Sequence, residues 1–168
     1  MNKKLVTLLI ATSLVAVAGC AKKETPQDLP PPPVGAEGET GPVETGPTPG
    51  SQADFIANVM ADRIYFDTDK FDIDSEDQSI LNSQAEWLKR YPNVRVTIEG
   101  HADERGTRDY NIALGARRAN ATKNALAAMG IDADRISTVS YGKERPDALG
   151  STEEDWARNR RAVTVTIE

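Results

Sequence analysis

The residues that first invite chemistry are an aspartate, an asparagine and an arginine at positions 103, 111 and 118 of a 168-residue chain. Between about Arg108 and Met129 apolar residues recur at helical spacing, and on a wheel of about 100° per residue Leu114, Ala121, Ala125, Leu126 and Met129 fill one arc. Asn111 and Arg118 fall inside the same arc. A guanidinium does not deprotonate in practice, so one that faces a core must find an anion there. Asp103, in the loop that enters this helix, is the candidate within the chain. On the pattern alone two outcomes are equally expected: Asp103 and Arg118 pair as a structural salt bridge, or they form a ligand site.

Cys20 offers a different chemistry. Lys3 and Lys4 precede a largely apolar run of fourteen residues from Leu5 to Ala18, too short for the ~20 that span a bilayer as a helix, and small residues then lead to the chain's only cysteine. Val17-Ala18-Gly19-Cys20 resembles the lipobox of bacterial lipoprotein signals. That resemblance implies cleavage before Cys20, a diacylglycerol on its sulfur and an acyl chain on its new amino group. Each buried CH₂ contributes about 0.8 kcal/mol, and more than one chain makes attachment lasting. Ala21 stands where the familiar inner-membrane retention signal has Asp, so the same resemblance implies the outer membrane. A lone cysteine also excludes an internal disulfide.

His101-Ala102-Asp103 invites a metal or general-base reading. It is the only histidine in the chain, and no nucleophile stands at motif spacing, so no catalysis, metal or cofactor is expected. The histidine is expected to close a loop by hydrogen bonding.

Removing residues 1–19 takes away Lys3 and Lys4 and moves the net charge from −6 to −8, which argues against nucleic acid as a partner. From Ala21 to about Ala53 the chain is rich in Pro, Gly, Glu and Thr and too poor in large apolar residues to offset its ordering entropy. This is a linker, able to reach ~100 Å as polyproline II. Three parts follow: a signal segment (1–19), Cys20 with its linker (20–53) and one folded domain (54–168).

The elements that must position the charged residues can be read in order. Ile64-Tyr65-Phe66 is a short strand. A Ser-x-x-Gln box at Ser75 and Gln78 opens a helix that runs through Leu81, Ala85, Leu88 and Tyr91 until Pro92 stops it. Val94, Val96, Ile98 and Gly100 alternate with polar residues as a half-buried strand. The Arg108–Met129 helix ends at Gly130, a natural left-handed terminator. Strands near Thr138 to Tyr141 and Arg161 to Ile167 complete the chain, the last with Val163, Val165 and Ile167 inward. The order β-α-β-α-β-β predicts an α+β sandwich, two long helices on one face of a small mixed sheet.

The stretch from Gly100 to Asn120, with Asp103, Asn111 eight residues on, then Leu114, Gly115 and Arg118-Ala119, resembles the OmpA-like family, including its lipid-anchored members. Tyr65-Phe66-Asp67-Thr68-Asp69-Lys70, Ser140-Tyr141-Gly142 and Asn159-Arg160-Arg161 extend the likeness over most of residues 60–168. The resemblance implies binding of peptidoglycan through meso-diaminopimelate, whose side chain ends in an ammonium and a carboxylate. It implies Asp103 as acceptor for the ammonium, Arg118 as bidentate partner of the carboxylate and Asn111 as an orienting group. Backbone groups at Phe66 and Asp67 are expected to reach the peptide, with Arg161 adding positive field, while core packing for Phe66 and loop bracing for Arg160 and Arg161 are the plainer alternatives. The family also implies the periplasmic propeller TolB and other Tol-system proteins as partners, and a role in envelope integrity and cell division. An interaction module chiefly for a TolB-like protein is the alternative function. The chain departs from the common pattern at Gly115, often Ser, and Ala102, often Thr; little consequence is expected of either.

Overall fold

The structure, a computed structural model, describes residues 46–167. The expected signal segment, Cys20 and the linker up to residue 45 lie outside the described residues. A short helix, α1 (Gln52–Asn58), comes first, and strand β1 (Arg63–Tyr65) follows. Helix α2 (Ser75–Arg90), strand β2 (Arg95–His101) and helix α3 (Arg108–Ala128) form the middle of the domain. A 3₁₀ turn (Ala133–Arg135), strand β3 (Ile136–Gly142), helix α4 (Glu153–Asn159) and strand β4 (Arg161–Ile167) close it.

The four strands form one sheet in the order β1-β4-β2-β3. β2 and β3 are parallel, as a crossover through α3 requires, and β4 runs antiparallel to both β1 and β2. The core is made where Leu81, Ala85 and Leu88 of α2 and Ala119 and Leu126 of α3 meet Ile64, Val96 and Ile98 of the sheet. The expected α+β sandwich is thus the fold. α3 stops where the sequence places its end: Gly130 takes φ +94°, and Ile131 N–H donates to the Leu126 carbonyl at 3.1 Å.

Three local expectations are corrected. The α2 cap is Asp74 rather than Ser75: its carboxylate accepts from Asp77 N–H at 2.9 Å, and the Asp77 carboxylate accepts from Asp74 N–H at 3.4 Å. An aspartate caps as well as a serine and also brings charge to the positive end of the helix. Two seven-residue helices, α1 and α4, add to the expected elements, since two turns are too few for apolar periodicity to show. Their signals were the caps alone, Ser51 with Asp54 and the Thr152/Asp155 box. α1 begins at Gln52, inside the stretch read as linker, and it is held: the Asp54 carboxylate accepts from Trp87 Nε1 at 3.1 Å, and Phe55 packs edge-on against Trp87.

The third correction concerns β4. Its register pairs Ala162, Thr164 and Thr166 with Gly100, Ile98 and Val96, so these three face the helices while Val163, Val165 and Ile167 face the other way. Ile167 is 47 % exposed. The Thr164 hydroxyl is accommodated in the core by the Gln84 side-chain oxygen of α2, 2.9 Å away, and the Gln84 amide donates to the Ala61 carbonyl at 2.8 Å. A buried polar pair with its hydrogen bonds made costs little.

Candidate functional site

The loop between β2 and α3, residues 102–107, and the loop after β1 face each other across the N-terminal half of α3. Between them lies a cleft of about 290 Å³. α3 supplies its floor with Asn111, Leu114 and Arg118. Ala102, Asp103 and Arg105 form one wall, Thr68 and Asp69 the other, and Tyr110 stands at the rim. The three residues singled out first therefore share one site.

How closely α3 approaches β2 sets the depth of this cleft. A Cβ on Gly100 would overlap the carbonyl oxygen of Gly115 and lie 2.6 Å from its carbon; one on Gly115 would overlap Ser140 Oγ and lie 2.7 Å from the Gly100 carbonyl oxygen. Strand and helix touch backbone to backbone here. Gly115 therefore matters more than its sequence departure suggested.

Arg118 is fully buried. It makes no salt bridge with Asp103. Its Nε donates to the Lys70 carbonyl at 2.9 Å, Nη1 to that of His101 at 2.7 Å and Nη2 to that of Asp67 at 3.0 Å. The guanidinium also lies 5.2 Å from the centroid of the Phe66 ring. Of its five N–H groups, one on each Nη is left without a partner among the described residues. Burial, and then the nearby Arg160 cation, lower its pKa to about 10, so it stays charged at neutral pH. A buried cation satisfied only by carbonyls keeps its positive field and presents it to the cleft.

Asp103, 7 % exposed, is held by other cations. Arg105 donates from Nη2 to Oδ2 at 2.6 Å and from Nε to Oδ1 at 3.1 Å, and Arg160 Nη1 stands 3.5 Å from Oδ2. Burial works to raise this carboxyl, but the Arg105 hydrogen bonds and the two guanidiniums outweigh it and hold it below the usual aspartate value. Asn111, also buried, donates from its amide to the Arg105 carbonyl at 2.7 Å and so fixes the loop that carries Asp103.

The other expected residues act less directly. Phe66 is buried, and its carbonyl accepts from Arg160 Nε at 2.9 Å; the Asp67 carbonyl accepts from Arg118, while its exposed carboxylate pairs with Lys70. Both carbonyls serve the arginines. Arg161 does not line the cleft: it sits on the opposite face of the sheet, donating weakly to the carbonyls of Asn159 and Arg145. Arg160, expected as a brace, is a second cation beside Asp103. Arg105, Thr68 and Tyr110 were not singled out in the sequence. An arginine two residues after a site aspartate was the one signal that pointed to any of them.

His101 is buried beside Tyr141, ring centroids 5.5 Å apart, and neither ring nitrogen has a hydrogen-bond partner among the described residues, contrary to the expected loop closure. Burial, and then the Arg161 cation, push its pKa down to about 4. The unfolded chain, titrating near 6.5, takes up the proton first, so stability is full above that pH and falls as pH drops towards 4. Urea unfolding should show His101→Gln losing about 2 kcal/mol less than the parent between pH 7 and pH 5. Equal losses would mean the imidazole finds a partner.

Residues 65–160 match the OmpA family. The chain is 51 % identical over 159 residues to the peptidoglycan-associated lipoprotein of Agrobacterium fabrum, covering 94 % of this chain and 85 % of that protein. It is 52 % identical over 152 residues to the peptidoglycan-associated lipoprotein of Rhizobium meliloti, covering 90 % and 81 %. Its fold matches the crystal structure of the peptidoglycan-associated lipoprotein from Burkholderia pseudomallei with a TM-score of 0.62 at 41 % identity, over 67 % of this chain and 93 % of that one.

Proposed function

The chain belongs to the OmpA family, and from that premise we propose that it is an envelope lipoprotein that holds peptidoglycan non-covalently and tethers the outer membrane to the cell wall. It is a binding protein rather than an enzyme. Acyl chains on Cys20 hold one end in the outer membrane, the Pro- and Gly-rich segment spans the gap, and the folded domain clamps stem peptides. Many weak clamps on one wall act together, since tethering raises the effective local concentration.

The observation that carries this reading is the separation of charge in the cleft. A buried Arg118 keeps two N–H groups for an anion, and Asp103 stands apart from it on the adjoining wall. A ligand head with one ammonium and one carboxylate, as in meso-diaminopimelate, complements that pair. Asp103 receives the ammonium, Arg118 the carboxylate, and Asn111 keeps the loop in place; Phe66 and Asp67 contribute by fixing the arginines through their carbonyls. The reading extends to TolB and the Tol system on the strength of the family likeness.

Calorimetric titration of the mature chain, kept unacylated by Cys20→Ser, with a diaminopimelate-containing stem peptide tests it. The parent should bind, and Asp103→Asn, folded by circular dichroism, should bind at least about thirtyfold more weakly, as expected when one partner of a buried charge pair is removed. Recovering the peptide intact afterwards separates binding from hydrolysis. Unchanged affinity in Asp103→Asn would overturn the site assignment.

A further inference from the structure

The carboxylate assigned to the ligand's ammonium already carries a cation. Arg105 grips both oxygens of Asp103 from Nε and Nη2, and its own backbone N–H adds a third hydrogen bond at 3.1 Å. The rest of the side chain bridges the cleft. Nη2 also reaches Thr68 Oγ1 on the far wall at 3.3 Å, and the guanidinium lies over the Trp156 ring, 4.2 Å from its centroid. Arg105 is nevertheless 39 % exposed at its side chain, whereas Arg160, the other cation beside Asp103, is 8 % exposed and fixed to the Phe66 carbonyl. Only one of the two is free to leave. A second anion lies within reach: Glu153 Oε2 is 3.9 Å from Arg105 Nη1, while its Oε1 pairs with Arg160 Nη1 at 2.9 Å.

We propose that Arg105 is a competing internal cation, a latch that must swing from Asp103 towards Glu153 before an ammonium can be seated, and that it thereby sets the affinity and the head-group selectivity of the cleft. The proposal rests on the reading of Asp103 as the ammonium acceptor. Arg105 holds both Asp103 oxygens and Thr68 across the cleft, and Arg160 stands on the buried side of Oδ2, so an ammonium that enters from the cleft takes the place of the Arg105 guanidinium and releases the latch. A ligand that lacks the charge leaves it shut. The Trp156 face and Glu153 give the released guanidinium a stacking surface and a counter-charge, so opening does not strand a cation. Weak single clamps with rapid exchange are the consequence, as a tether of many clamps requires.

The test is the same titration run on the mature Cys20→Ser chain with Arg105→Ala and Arg105→Lys, each checked for folding by its thermal midpoint. Arg105→Ala should bind the diaminopimelate stem peptide about five- to tenfold more tightly than the parent, the range expected for removing a partly exposed bidentate pair. Arg105→Lys, which keeps the charge without the two-pronged grip, should fall between. With the ligand's terminal ammonium acetylated, Arg105→Ala should gain nothing. Glu153→Gln should weaken binding of the unmodified peptide more in the parent than in the Arg105→Ala background, where only its pair with Arg160 is lost. Equal or weaker binding by Arg105→Ala to the unmodified peptide would overturn the latch, since the arginine would then orient Asp103 or touch the ligand. A parent that fails to bind, or Asp103→Asn that binds as the parent does, would instead overturn the site reading.

Discussion

Replacing Arg118 with lysine is expected to cost the folded domain about 3 to 5 kcal/mol in urea unfolding, although the charge is kept. The three carbonyls that Arg118 serves come from both sides of the cleft, Asp67 and Lys70 in the loop after β1 and His101 at the end of β2. A planar guanidinium reaches all three because its donors point outward from separate nitrogens; a lysine's three N–H groups radiate from one atom at the end of a flexible stem. At least one carbonyl would then be buried without a donor, and the ammonium would be desolvated with fewer acceptors. Arg118→Met removes the charge and leaves all three carbonyls unserved, so it should be no better. Amide hydrogen exchange adds a local test: protection across residues 67–72 should fall in Arg118→Lys under conditions where the α2 core remains protected. A lysine variant within about 0.5 kcal/mol of the parent would refute the carbonyl clamp.

Gly100→Ala is expected to be comparably damaging, about 3 kcal/mol or more, for a steric reason. Its Cβ would meet the Gly115 carbonyl group, and backbone cannot rotate away as a side chain can. α3 would have to withdraw from β2, taking Asn111 and Arg118 with it. Gly115→Ala should cost less, because its sharpest encounter is with the Ser140 hydroxyl, which gives way at the loss of its 2.8 Å bond to the Ile112 carbonyl. Thermal unfolding of the two variants side by side checks the order. A milder Gly100→Ala would mean that helix and strand are less closely seated than their backbones indicate. Ligand affinity should follow the same order in whatever fraction folds.

The contrast between these residues shows which kind of information lies in a single sequence. The helix α3 and its end at Gly130, the α2 stop before Pro92 and the β2 alternation were legible because each depends on neighbours within a few residues. Asp103, Asn111 and Arg118 were legible as a constellation because helical periodicity puts two polar side chains where a core is expected. Their partners were not. Arg118 was expected to meet a carboxylate and instead meets carbonyls 17, 48 and 51 residues away in the chain. Backbone acceptors carry no residue type, so nothing in the sequence advertises them.

One inverted strand accounts for two of the misplacements. Reading Val163, Val165 and Ile167 as the inner face of β4 also turns Arg161 inward, since all four share one parity. The structure takes the other parity, which sends Arg161 to the far face of the sheet and brings Arg160 beside Asp103, where it joins Arg105. A shift of one residue exchanges every side chain between faces, and valine, alanine and threonine fit either side of a pleated strand. The choice is made by α2, where Gln84 supplies an acceptor for Thr164, and the register then sets Ala162 beside Gly100. The sequence alone determined the two long helices, their order with the strands, and Asp103, Asn111 and Arg118 as residues of one site, because those follow from local periodicity and capping. Which face β4 turns inward, what holds Arg118 and which cation guards Asp103 were decided only by the packed structure, because each depends on atoms that the fold brings together from distant parts of the chain.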